Sequence, residues 1–145
     1  AIKTAFEVHP RIIIEEFIKG RELTCGVLET KGEVIAFPIT EIISKKEFFD
    51  YEAKYQGLSD EVTPAKISEE LKNKVHETAK KIYKGLNCKG VCRIDFIFDE
   101  DKQELFFLEV NTIPGQSAQS IVPQQVRSMG WTTQMLYSKM LEEIF

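Results

Sequence analysis

The sequence predicts an α+β fold, an antiparallel sheet with helices packed on it. Three observations carry this reading. Two apolar runs, VCRIDFIF (91–98) and ELFFLEVN (104–111), alternate as strands do and are separated by a short polar turn. Residues 67–87 repeat apolar side chains at spacings of three and four, as one face of a helix does. Near the start, RIIIEEF (11–17), ELTCGVLET (22–30) and EVIAFPITEII (33–43) read as three strands of a meander. Lys31-Gly32 supplies a turn, and Pro38 marks a bulge or an edge position.

The 145 residues suit one domain, and their composition is that of an ordinary globular protein. A net charge of −4 argues against a general nucleic-acid binder. No apolar run approaches the ~20 residues of a membrane-spanning helix. AIKTAFEVHP lacks the build of a signal peptide and reads as an interior stretch, so a fragment of a longer chain is expected. Three cysteines at no zinc spacing read as buried, reduced thiols. His9 and His76 stand alone, which disfavours histidine-based metal or triad chemistry.

Residues 44–66 have no clean period and read as a long loop, whose aromatic residues argue for order and a lid-like role. In the helix, Ser68 is placed to cap and Glu69 and Glu70 to complement the positive end, with Leu71, Val75, Ala79, Ile82 and Leu86 inward. A C-terminal helical region breaks at Gly130, with Met135, Leu136, Met140 and Ile144 inward.

The charges inside the two apolar strands point to function. Alternation puts Cys92, Ile94, Phe96 and Phe98 on a core face and Arg93 and Asp95 on the other. A five-residue hairpin loop sets Phe96 against Leu108, Asp95 opposite Glu109 and Arg93 opposite Asn111. Like charges facing each other destabilise a strand pair, so a cation is expected between them. Two carboxylates and an amide oxygen are hard ligands suited to Mg²⁺ or Mn²⁺. The plainer alternative is that Arg93 neutralises both acids in a salt-bridge network. Beyond Asn111, NTIPG makes a sharp turn whose backbone amides, Gly115 among them, can face developing negative charge. Arg93 offers a fork for phosphate or carboxylate.

RIIIEEFIKGRELTCGV, FFDYEAKY, GVCRIDFIF and LEVNTIPGQSAQSIVP, in this order, closely resemble the C-terminal part of bacterial D-alanine–D-alanine ligases, members of the ATP-grasp superfamily. The resemblance runs from about Arg11 to the last helix and rests on the set of motifs together. It implies the C-terminal lobe of an ATP-grasp fold and a ligase that joins two D-alanines through an acyl phosphate, for peptidoglycan synthesis. It makes Asp95, Glu109 and Asn111 the ligands of Mg²⁺ or Mn²⁺. Arg93 would steady the transferring phosphate, and the Gly115 backbone would help form an oxyanion hole. Ser120 and Ile121 would hold the second D-alanine's carboxylate. On the ATP side the resemblance places Glu15 near the adenine amino group, Phe17 and Ile18 at the purine edge, Glu22 on the ribose and Phe48 against adenine. Lys54 would reach the phosphates and the substrate carboxylate, and Tyr55 would favour an amine over a hydroxyl as second substrate. Ile12 and Ile14 remain core-strand residues in this reading.

The family's N-terminal and central parts are not among these residues, so the isolated chain is expected to be inactive. D-alanine and ATP are the implied small-molecule partners, with no nucleic acid or membrane, a homodimeric full-length enzyme and a bacterial cytoplasmic setting. The alternatives are another ATP-grasp carboxylate–amine ligase, a D-alanine–D-lactate ligase (against which Tyr55 argues), or a non-catalytic domain of this fold that binds metal or a partner.

Overall fold

A computed structural model describes residues 1–44 and 59–143. The described elements run α1 (Ile2–Val8), β1 (Arg21–Thr30), β2 (Glu33–Ala36), β3 (Thr40–Ser44), β4 (Ser59–Val62), α2 (Glu69–Gly85), β5 (Val91–Asp99), β6 (Glu104–Asn111), α3 (Ile121–Ser128) and α4 (Thr133–Glu142). The strands form one antiparallel sheet in the order β4-β3-β1-β5-β6, with β2 also paired to β1. The expected α+β architecture is therefore present.

Alternation decides which face meets which helix. Leu23, Cys25 and Val27 of β1 and Cys92, Ile94, Phe96 and Phe98 of β5 form a core with Leu71, Val75, Ala79 and Tyr83 of α2. The other face is covered at one end, where Leu28, Phe37 and Val91 pack with Val122 and Val126 of α3 and Leu136 of α4. Further along that face lie Glu22, Thr24, Arg93, Asp95, Glu109 and Asn111, strand neighbours that point the same way. Among the described residues α2 packs on one face of β1 and β5 and the C-terminal helices cover one end of the other, which leaves room for a site there.

The long helix forms as its sequence dictates. Ser68 Oγ accepts from Leu71 N at 3.2 Å, and Glu69 and Glu70 occupy the first turn. Leu86, expected inward, is 60 % exposed because the helix ends at Gly85. Tyr83 takes the buried position instead and donates its hydroxyl to Gly90 O at 2.7 Å. All three cysteines are free, and burial pushes the thiols of Cys25 and Cys92 up to about 12.

Other expectations need correction. Residues 12–19 form no strand, and Ile14 is 74 % exposed while Ile12 is half-buried. An apolar β-branched run becomes a strand only where another strand lies beside it, and among the described residues no strand pairs with this segment. The run 33–43 divides into β2 and β3 around Phe37–Ile39, where Pro38 can donate no ladder bond. Within 44–66, residues 59–62 form β4, an edge strand on β3, rather than loop. The β5–β6 register holds at Asp95↔Glu109 and Arg93↔Asn111, then shifts at a bulge beside Asp95, so Phe96 faces Phe107 and not Leu108. The bulge also shortens the hairpin loop, since Asp99 pairs with Glu104. The C-terminal region breaks at Gly130 (φ 84°) as expected, and Leu136 is buried, but Met135 is exposed. Ile144 lies outside the described residues, and α1 was not foreseen.

Candidate active site

The site is built on β1, β5 and β6, with the loop after β6 and the start of α3 at its edge. Asp95 is only 7 % exposed, and both its carboxylate oxygens accept hydrogen bonds. Arg93 forks onto it, Nε to Oδ1 at 2.9 Å and Nη2 to Oδ2 at 2.8 Å. Thr24 Oγ1, from the facing position on β1, donates to Asp95 Oδ1. Glu109 stands directly across the pair on β6, with Asn111 opposite Arg93. The salt bridge that the plainer reading anticipated is thus formed, and it uses one of the two acids.

Burial would lower the Arg93 pKa, but the hydrogen bonds to Asp95 and the negative charges of Asp95, Glu109 and Glu22 outweigh it. The guanidinium is held firmly cationic among three carboxylates. Among the described residues no three His, Cys, Asp or Glu side chains gather as an ion site. A cation held here would need the Asn111 oxygen as its third protein ligand beside Asp95 and Glu109.

After β6, residues 112–120 turn back to α3, and side chains fasten the turn to its surroundings. Arg127 Nη2 donates to Ala118 O at 2.7 Å, Gln124 Nε2 to Gln119 O at 2.8 Å, and Gln116 Nε2 to Pro114 O at 3.2 Å. Gly115 and Ser120 come together here, since a Cβ on Gly115 would sit 2.8 Å from Ser120 Oγ. Ser120 is the N-cap of α3, but its hydroxyl pairs with Ser117 Oγ at 2.8 Å instead of capping. Ile121 and Val122 N–H groups open the helix, and Pro123 has none to offer.

The structure therefore brings Arg93, Asp95, Glu109, Asn111 and Glu22 onto one face and sets Gly115 and Ser120 together in the turn beyond β6, with Ile121 opening α3. Glu15 and Phe17 lie in the irregular segment before β1, Phe17 being 71 % exposed and Ile18 half-buried. That segment joins the sheet at Gly20, where the chain presses against β5 so closely that a Cβ would sit 2.3 Å from Phe98 O. Phe48, Lys54 and Tyr55 lie outside the described residues. Sequence reasoning missed Thr24, whose signal was a polar residue two places from Glu22 on a strand facing Asp95.

The family described as D-ala D-ala ligase C-terminus matches residues 1–142. This chain belongs to that family. A D-alanine–D-alanine ligase of Flavobacterium johnsoniae is 47 % identical over 142 residues, covering 98 % of this chain and 43 % of the relative. The crystal structure of the Bacillus anthracis D-alanine–D-alanine ligase complexed with ATP matches at TM-score 0.78 and 32 % identity, over 97 % of this chain and 45 % of that one. The VanG D-Ala:D-Ser ligase of Enterococcus faecalis matches at TM-score 0.72 and 35 % identity, over 87 % of this chain and 36 % of that one. The chain spans less than half the length of these relatives. Among the described residues no helix is long and apolar enough to cross a membrane.

Proposed function

We propose that this chain is the C-terminal part of an ATP-dependent ligase that joins two D-alanines for peptidoglycan, and that the missing length of the family supplies the rest of the catalytic unit. The observation that carries the reading is the acid pair Asp95–Glu109 flanked by Arg93 and Asn111, with the Gly115–Ser120 turn following directly in the chain. Membership of the family and the ATP complex of a relative support it.

In this reading ATP phosphorylates the carboxylate of one D-alanine. The amine of a second attacks the acyl carbon, forming the peptide C–N bond, losing a proton and expelling phosphate. Asp95, Glu109 and Asn111 offer hard oxygens, which fit Mg²⁺ or Mn²⁺. Such an ion, when bound, neutralises charge on the transferring phosphoryl group. Arg93 orients that group and the tetrahedral intermediate as a fixed cation. The Gly115 N–H faces the developing oxyanion. Ser120 Oγ and Ile121 N–H hold the second substrate's carboxylate, in keeping with a helix start that favours anions. Glu15, Phe17 and Ile18 meet adenine and Glu22 accepts from the ribose hydroxyls, with Phe48, Lys54 and Tyr55 completing the nucleotide and substrate contacts. The full enzyme works as a homodimer in the bacterial cytoplasm, and the 145-residue chain alone is inactive.

A second reading, ligation of D-alanine to another amino acid, draws support from the likeness to the D-Ala:D-Ser ligase. Phosphate release from ATP, measured with this chain in its full reading frame, tests both. D-alanine-dependent release that collapses in Asp95→Asn is expected. Release indifferent to D-alanine, or stimulated only when D-serine is added, would overturn the D-alanine assignment. No release would favour a non-catalytic domain.

A further inference from the structure

Gln125 lies in α3 and is fully buried, yet its side chain bonds to the sheet instead of to its own helix. Its Oε1 accepts from Gly26 N at 3.0 Å, while Nε2 donates to Thr24 O at 3.0 Å and to Thr40 Oγ1 at 3.1 Å. The break between β2 and β3 explains this. β2 pairs with β1 from Val27 onward and β3 pairs with it only over Glu22–Thr24, so at Gly26 the neighbour strand is interrupted. Phe37 N still reaches Gly26 O at 2.8 Å, but the Gly26 N–H turns to Gln125. A side-chain amide carries one acceptor and a donor, as a peptide group does, and Gln125 stands in for the missing strand. Gly26 is glycine because a Cβ would lie 2.6 Å from Gln125 Oε1 and 2.5 Å from the Phe37 ring.

The contact also joins two parts of the site. Thr24, whose carbonyl Gln125 binds, gives its hydroxyl to Asp95. Ser120 stands at the N-cap position of the helix that carries Gln125. Val122 and Val126 anchor the same helix by apolar contact, which is non-directional and fixes no register along the strand. The amide, with three directed bonds, does fix it.

We propose that Gln125 is a positioning residue for the ligation, holding the seat of the second amino acid at the start of α3 in register with the Asp95 carboxylate through Thr24. This rests on the ligase reading above. Small displacements of a substrate seat relative to the reacting groups cost rate steeply.

The test uses the protein in its full reading frame and compares Gln125→Met, close in shape but without the amide, with wild type. The expected result is a rise of about tenfold in the D-alanine concentration that half-saturates dipeptide formation, the scale of lost neutral hydrogen bonds. The half-saturating Mg²⁺ concentration rises with it, while KM for ATP is unchanged. Thr24→Val raises the Mg²⁺ requirement, and Thr24→Ser restores it. If Gln125→Met only lowers the melting temperature and leaves both half-saturations within about twofold of wild type, the amide is purely structural and the proposal is overturned. Should that variant fail to fold, Thr40→Val, which removes one of the three bonds, decides by the same two half-saturations. Wild-type protein without D-alanine-dependent phosphate release overturns the ligase reading and this inference together, whereas active wild type with indifferent variants overturns this inference alone.

Discussion

Replacing Arg93 with Met should expose the conflict built into the β5–β6 pair. The Arg93 and Asp95 side chains are 15 % and 10 % exposed and share a forked pair of short bonds. Removing one member of a mostly buried ion pair costs about 3–5 kcal/mol, because the remaining charge is left without its partner. Asp95 keeps the Thr24 hydroxyl, which argues for the low end, while Glu109 directly across adds repulsion. A loss of about 3 kcal/mol in a chain of this length lowers the melting temperature by roughly 9 °C. The two acids, now without the guanidinium, should then gain from Mg²⁺. A divalent ion at about ten times its dissociation constant restores roughly 1.4 kcal/mol. Thermal denaturation of wild type, Arg93→Met and Arg93→Met/Asp95→Asn, with and without Mg²⁺, measures each quantity. The double variant should regain part of the lost stability and lose the Mg²⁺ response. An Arg93→Met protein within about 1 kcal/mol of wild type and blind to Mg²⁺ would refute the reasoning, leaving a solvated ion pair of little consequence.

Two further outcomes follow from the same structure. Gly115→Ala keeps the backbone N–H but places a methyl 2.8 Å from Ser120 Oγ in an exposed turn, so stability should hardly change while the displaced hydroxyl raises the half-saturating D-alanine concentration by about tenfold; parallel melting and dipeptide assays separate the two effects. Burial lowers the pKa of His76, opposed by its contact with Phe37 O at 3.1 Å, so the folded chain takes up this proton less readily than the unfolded one. Its contribution is intact above the ordinary histidine range near ~6.5 and is lost as pH falls through the lowered folded value. The melting temperature of wild type should therefore drop below that range, and that of His76→Gln should drop less; equal slopes would contradict the assignment.

Much of this fold is written locally. The Ser68 cap, the acidic first turn and the inward side chains through Ala79 specify α2 without reference to anything distant. Strict alternation in VCRIDFIF fixes which side chains meet that helix and leaves Arg93 and Asp95 on the other face. The facing of Asp95 with Glu109 follows from matching the two apolar faces, and with it the polar centre of the site. Where a feature depends on a neighbour far away in the chain, local pattern was silent or misleading. Residues 11–17 have the composition of a strand, but among the described residues no strand pairs with them, and Ile14 faces solvent. The bulge beside Asp95 swaps Leu108 for Phe107 opposite Phe96, a choice made by packing rather than by alternation. Gln125 carries no motif in sequence, and only the gap between β2 and β3 gives its amide a task. Sequence by itself determined α2, the β5–β6 pair with its facing acids and the buried face of each, because these follow from side-chain period and the cost of burying charge. The tertiary structure alone decided that Thr24 holds Asp95 and that Gln125 ties α3 to β1, because unsatisfied backbone groups exist only once the strands have met.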